Sequence, residues 1–411
     1  MNGAATERDF GMMSPKDYAA FYLDLLQSDL MPFWEKRCVD GAFGGYLTCF
    51  DRAGSLTDDS KYVWFQGRML STFSAYYRTI EKSEKWLRLA EHGYRFMLDK
   101  CYNGRGRWNY RLNRAGDVTD GTISIYSDGI AIQSLSEYLL ATDRSDPEGA
   151  EILSKTFDVF EANMLDPDFK EIYENTWSPT YTWNDLYLAA LNAANCAGRI
   201  LPAERVRPLQ EKALDMILYR FAQDRYKMLF EAVPKSGESD LSDPVARFIN
   251  PGHAMESCWM CLEALNGRED ARRKARVLEI VDWTYAIGYD REYGGMFAYL
   301  DARGEEPTPL DWHKEANVLW DDKVFWVNAE SLRGFAAAYT QSGDLKYLRI
   351  FENLHRFCER YFHDRIYGEW YERLRRDGTV RVGDKGTRSK CAGHVERSAM
   401  ALVNLFRNLD A

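Results

Sequence analysis

Six stretches of this chain are apolar, or built from small residues, nearly all the way round. They are Trp64-Phe-Gln-Gly-Arg-Met-Leu, Ser127-Asp-Gly-Ile-Ala-Ile, Asn184-Asp-Leu-Tyr-Leu-Ala-Ala, Gly252-His-Ala-Met-Glu, Phe325-Trp-Val-Asn-Ala-Glu and Gly393-His-Val-Glu-Arg. A helix with no wet face has to be buried. Counted from positions 64, 127, 184, 252, 325 and 393, the stretches recur every 57 to 73 residues, the mark of one supersecondary unit repeated six times. Between them lie six segments with the 3.6-residue periodicity of amphipathic helices: roughly Ser14 to Trp34, Glu84 to Lys100, Glu148 to Leu165, Arg205 to Phe221, Glu269 to Ile287 and Leu345 to Phe362. Twelve helices alternating between a wet and a dry environment predict an all-α fold, the (α/α)6 barrel.

A second repeat places an aromatic strand and a Gly turn ahead of several inner helices: Tyr46 to Gly54, Trp108 to Gly116, Phe297 to Gly304 and Trp370 to Gly378. Each reads as a short β-hairpin. Since all precede an inner helix, the hairpins should gather at the barrel end where inner helices start, which is the expected active-site mouth. The whole of 14–411 is expected to form this single domain, with 1–13 as a disordered or loosely held segment.

Composition narrows the ligand. Hydrophobic residues make up 45% of the 411, charged residues 28% and aromatics 14%, the last an excess that suits a carbohydrate cleft. The formal net charge of -10 comes without a basic block, which argues against nucleic acid or anionic lipid as partner. Met1 to Met13 carries Glu7, Arg8 and Asp9 and resembles neither a signal peptide nor a membrane anchor. The eight cysteines show no disulfide spacing, so a reducing cytoplasm is expected. Cys258-Trp-Met-Cys261 lacks a second pair and reads as core packing, and no phosphate loop, dinucleotide fingerprint or zinc motif appears. No cofactor or metal is demanded.

Two of the six histidines occupy matching places. His253 follows Gly252 at the start of inner helix four, and His394 follows Gly393 at the start of inner helix six; Gly67-Arg68 is similar in helix one. The glycines are expected to let the backbone turn tightly and aim the next side chain into the mouth. Helix starts favour negative charge forming there. Glu256 lies three residues after His253 and is placed to orient its imidazole, and Arg397 stands in the same relation to His394. Glu330 falls within an otherwise apolar helix, where a carboxylate needs a partner; Arg68 is the candidate. The plainer alternatives are helix caps for the histidines and a structural ion pair for Glu330. His92 and His355 sit on outer helices, where solvent exposure is expected.

Four stretches together resemble the N-acylglucosamine 2-epimerase family: Lys61-Tyr-Val-Trp-Phe-Gln-Gly-Arg68, Asn250-Pro-Gly-His-Ala-Met-Glu256, Lys323-Val-Phe-Trp-Val-Asn-Ala-Glu330, and Tyr367-Gly-Glu-Trp-Tyr followed by Lys385-Gly-Thr-Arg-Ser-Lys-Cys-Ala-Gly-His394-Val-Glu-Arg397. The resemblance implies an (α/α)6 barrel and a metal-independent sugar epimerase. It implies His253 and His394 as the acid/base pair, Arg68 and Glu330 as pocket residues, and Glu256, Arg397 and Trp326 as supporting or sugar-contacting positions. Lys61, Tyr62, Trp64 and Gln66 match the first motif, and Lys61 and Tyr62 are taken as substrate-binding.

Two departures bear on the substrate. Disaccharide epimerases of the superfamily carry Asn-Pro-x-Met-His-Leu-x-Glu-Ala on inner helix three, where this chain reads Trp183-Asn-Asp-Leu-Tyr-Leu-Ala-Ala190, and an aromatic where this chain has Ser389. A monosaccharide is the expected substrate. Cys391-Ala-Gly393 also replaces a bulkier run common in N-acylglucosamine epimerases. The leading expectation is interconversion of N-acetylglucosamine and N-acetylmannosamine or a related pair. An aldose-ketose isomerase or glucose/mannose 2-epimerase stands beside it. More distant are a glycoside hydrolase using Glu256 and Glu330 and a protein-binding role. The resemblance also admits a homodimer and a nucleotide effector, for which no motif is present.

Overall fold

Five of the six inner helices begin directly out of extended backbone, and that junction organises the molecule. The computed structural model describes residues 13–171, 178–237, 239–310, 314 and 317–410. Most of the segment expected to be loosely held, and His313, lie outside the described residues.

Twelve long helices alternate along the described chain: α1 (Pro15–Leu25), α2 (Val63–Thr79), α3 (Glu84–Phe96), α4 (Ile125–Ala141), α5 (Pro147–Leu165), α6 (Asn184–Ala197), α7 (Ala203–Asp215), α8 (Pro251–Ala264), α9 (Ala271–Gly288), α10 (Phe325–Ser342), α11 (Leu345–Tyr361) and α12 (His394–Arg407). The even-numbered helices pack in a closed ring, α2 on α4, α4 on α6 and so on until α12 meets α2. Each odd-numbered helix packs outside the inner helix before it, with α1 closing onto α12. This is the expected (α/α)6 barrel. None of the described helices is long and apolar enough to cross a membrane.

Local sequence explains the two helix sets. Four of the six outer helices carry side-chain caps: Ser14 forms a capping box with Asp17, Asp146 accepts from Gly149 N–H, Asp270 from Arg273 N–H and Asp344 from Lys346 N–H. Three outer helices, α1, α3 and α7, run on through π turns at Leu26–Leu30, Met97–Cys101 and Met216–Phe221, which periodicity did not foreshadow. Five inner helices lack a side-chain N-cap bond, and in four of them a carbonyl from elsewhere on the rim takes the first N–H. Val63 donates to Tyr110, Ile125 to Glu171, Asn184 to Glu231 and Phe325 to Glu372. Each of these four starts is thereby tied to its neighbourhood at the mouth.

Three of the four expected hairpins form, with Gly54, Gly116 and Gly378 at positive φ as their turns require. The third copy differs: Leu300–Asp301 pairs with Phe248–Ile249, the strand leading to α8. Likewise Lys61–Tyr62 pairs with Arg111–Leu112, and Lys323–Val324 with Arg373–Leu374.

A buried charge cluster recurs three times at this rim. Lys61 Nζ lies 3.0 Å from Asp40, with Arg114 Nε 3.1 Å from the same carboxylate. Lys323 lies 2.9 Å from Asp290, with Arg376 at 2.8 Å; Lys385 lies 3.1 Å from Asp364, with Arg52 at 2.8 Å. In each cluster the hairpin Arg reaches an Asp of another repeat unit, so the clusters lace the rim together.

Candidate active site

Partial exposure on the inner helices follows a pattern. In α2 the partly exposed residues before its last turn are Trp64 and Arg68; in the first ten residues of α8 they are His253 and Glu256; α12 begins with His394 and Arg397. Spacings of three and four put each pair on one helix face. With Trp326 in the first turn of α10, these faces open on the barrel interior. His253, Glu256, His394, Arg68, Trp326 and Arg397, singled out from sequence, are brought to one end of the barrel.

One indole joins the two histidines. The Trp326 ring centroid is 5.1 Å from that of His253 and 5.7 Å from that of His394, so the two imidazoles flank a single side chain. Gly252 makes this possible for a reason other than a tight turn: it is helical, and a Cβ there would come within 2.5 Å of Trp326 Cζ3. Gly393, the N-cap of α12, has φ -173, outside the left-handed region.

The environments of the two rings are opposite. His394 Nδ1 lies 2.7 Å from Glu330 Oε1, and Arg68 Nη1 lies 2.8 Å from His394 Nε2. The expected Arg68–Glu330 pair is thus replaced by an arrangement in which His394 stands between them. Trp259 Nε1 donates to the other Glu330 oxygen at 2.8 Å. Burial and then the Arg68 charge press the His394 imidazolium down to about 4, so the ring is neutral, donates Nδ1–H to Glu330 and turns its Nε2 lone pair to Arg68.

His253 Nδ1 lies 2.8 Å from Glu231 Oε1, while its backbone N–H donates to Asn250 Oδ1 at 3.2 Å. Burial again disfavours the cation, but here Glu231, Asp185 and Glu256 outweigh it and raise His253 to about 9. The orienting carboxylate is Glu231, not Glu256. Glu256 instead gathers with Glu330 and His394, with one ligand atom from each within 4.8 Å of the others. Burial and the nearby Glu330 carboxylate push Glu256 upward.

Two residues proposed from sequence, Lys61 and Tyr62, sit apart from the histidines, and a third, Arg397, stands behind His394, whose cation its charge disfavours. Lys61 is fully buried; besides Asp40 it donates to the carbonyls of Gly44 at 2.5 Å and Arg114 at 2.7 Å, which occupies all three ammonium protons. Tyr62 is buried edge-on against Tyr110. Arg397 lies one turn deeper, where its charge acts on Glu137, a carboxylate held by Arg199 at 2.5 Å and Arg78 at 3.0 Å. His355 corrects the expectation of exposure: it is buried on the inward face of α11 and bonded to the Tyr22 hydroxyl at 2.9 Å. His92 is half-buried on Gly45 C=O at 2.9 Å. All eight cysteines are free and buried.

Sequence reasoning missed Glu231 and Trp259. Glu231 carried a readable signal, since it is the one charge in Met228-Leu-Phe-Glu-Ala-Val233, the same kind of anomaly that marked Glu330. Trp259 carried none, because a buried Trp in an apolar helix looks like core.

The family described as N-acylglucosamine 2-epimerase matches residues 45–391. The N-acylglucosamine 2-epimerase of Bos taurus is 29% identical over 404 residues, covering 96% of this chain and 92% of that one. Among solved structures, the cellobiose 2-epimerase of Bacillus thermoamylovorans superposes with a TM-score of 0.81 at 20% identity, covering 94% of this chain and 99% of that one. A D-mannose isomerase superposes with a TM-score of 0.80 at 19% identity, covering 96% and 100%.

Proposed function

Since the chain belongs to the N-acylglucosamine 2-epimerase family, we propose that it inverts C2 of a monosaccharide, interconverting N-acetylglucosamine and N-acetylmannosamine or a closely related pair. The observation that carries this reading is the pair of imidazoles flanking Trp326 in opposite charge states.

A C2 proton of an aldose becomes acidic only when the ring opens and a carbonyl forms at C1. In the open chain, neutral His394 takes the C2 proton on Nε2 as general base. Arg68, which holds that nitrogen in the absence of sugar, moves its hydrogen bond to the oxygen of the forming enediolate and stabilises the charge. Protonated His253 then delivers its Nε2 proton to C2 from the opposite face. For the reverse epimer the histidines exchange roles. Arg68 and the His253 cation supply the positive charge the enediolate needs, so the proposed chemistry uses no metal. The eight reduced, buried thiols fit a cytoplasmic setting.

The hydrolase alternative fits less well. Glu330 is committed to His394 and Trp259, and the glycosidase reading assigns no work to either histidine.

Two measurements test the reading. Incubation of N-acetylmannosamine, N-acetylglucosamine, mannose, glucose and fructose in heavy water should place deuterium at C2 of an aldose. Deuterium at C1 of a ketose would assign an isomerase instead, and no exchange with any sugar would reject both. For the pH dependence, His394 must be unprotonated, so kcat/KM in the direction it serves as base should rise as pH climbs through about 4. His253 must be protonated, so the rate should fall as pH climbs through about 9.

A further inference from the structure

The first turns of the inner helices carry Trp64, Tyr126, Asp185, His253, Trp326 and His394, one from each helix. Five are aromatic or imidazole rings. The sixth, Asp185 on α6, is a carboxylate, and its place is fixed by sheet register: Trp183 pairs with Ala232, and Asn184 N–H donates to Glu231 C=O at 2.8 Å. That register sets the start of α6 beside Glu231, the residue that holds His253 Nδ1.

The two carboxylates act on each other. The Tyr126 hydroxyl and the Leu186 N–H ease the charge on Asp185, whereas Glu231 Oε2 is buried and, among the described residues, has no hydrogen-bond donor. A buried carboxylate oxygen without a donor is costly unless a cation balances it. The groups facing His253 are Glu231 from the strand side, Asp185 from α6, Glu256 from its own helix and the uncharged Trp326 from α10. The charges of His253, Arg68 and Arg333 all act on Glu256, whereas the cation that acts on Asp185 is the imidazolium of His253, which Glu231 holds directly.

We propose that Asp185 is a positioning residue for the reaction, the second of two carboxylates that keep His253 protonated and so define it as the acid of the pair. This rests on the C2-epimerisation reading for its catalytic meaning, but the electrostatic claim concerns His253 alone. Glu231 fixes the ring by a direct hydrogen bond; Asp185 adds charge without one. Burial would otherwise strip the proton from His253, and Asp185 is the second-strongest of the charges opposing that.

Asp185→Asn removes the charge while keeping the shape. The His253 imidazole, followed by NMR titration without sugar, should then lose its proton about one pH unit lower, and the alkaline limb of kcat/KM should move down with it. Asp185→Ser supplies the same test should the amide pack poorly. An unmoved His253 titration overturns the proposal, including the case in which activity falls equally at every pH, which would make Asp185 structural. If the parent protein exchanges no sugar proton at all, the epimerase reading fails, yet the NMR arm still decides the proposal.

Discussion

Replacing His394 with asparagine is expected to lower kcat by about 10³-fold while leaving the thermal transition nearly unchanged. Asparagine can still offer a side-chain N–H toward Glu330, the partner that His394 Nδ1 holds at 2.7 Å, so the buried carboxylate keeps a donor. What disappears is the Nε2 lone pair beside Arg68. His253→Asn should cost a similar factor in turnover but differ in stability. Removing that ring leaves the buried Glu231 carboxylate, whose charge also acts on Asp185, without its imidazolium, for a loss of about 3 kcal/mol. Single-turnover kinetics and thermal melts of both variants check this, and turnover within tenfold of the parent in either would reject the two-histidine mechanism.

The barrel was legible because its signal is periodic. Outer helices alternate a wet face with a dry one, inner helices have no wet face, and six repetitions leave little choice of architecture. The α5 bounds, Pro147–Leu165, differ by one residue from those expected, because Asp146 and Pro147 mark the start chemically. The two histidines were legible because they interrupt apolar helices at matching positions. Pairing partners were not, since partner choice depends on distances between helices far apart in sequence. Glu256 looked like the orienter of His253 because helical spacing is visible in sequence, whereas Glu231 reaches the ring from a bend 22 positions earlier, just ahead of the strand Ala232–Pro234. Glu330 was correctly sensed as a buried charge needing a partner, with Arg68 the candidate, but His394 inserts between them. Gly252 was recognised and misread: it is small to admit Trp326, a contact invisible without the fold.

Lys61 exposes the limit of reading roles from a motif, and it yields a prediction of the opposite kind. Its position in Lys61-Tyr-Val-Trp-Phe-Gln-Gly-Arg68, seven residues before Arg68, suggests a hand that holds substrate. Its ammonium is instead spent on Asp40 and two carbonyls, in a side chain with no exposure. Lys61→Met keeps the stem and removes the charge. Asp40 is then left to Arg114, whose side chain is 38% exposed and screened by solvent, and the carbonyls of Gly44 and Arg114 lose their donor. Breaking a buried pair from one side costs about 3 to 5 kcal/mol, so the melting temperature should fall by several degrees, while KM for the sugar, measured well below the transition, should not change. The same loss is expected from Lys323→Met at Asp290, which sits in the matching cluster across the rim. A raised KM with an unaltered melting curve in Lys61→Met would return the residue to the substrate and leave the threefold cluster without a structural role at that position.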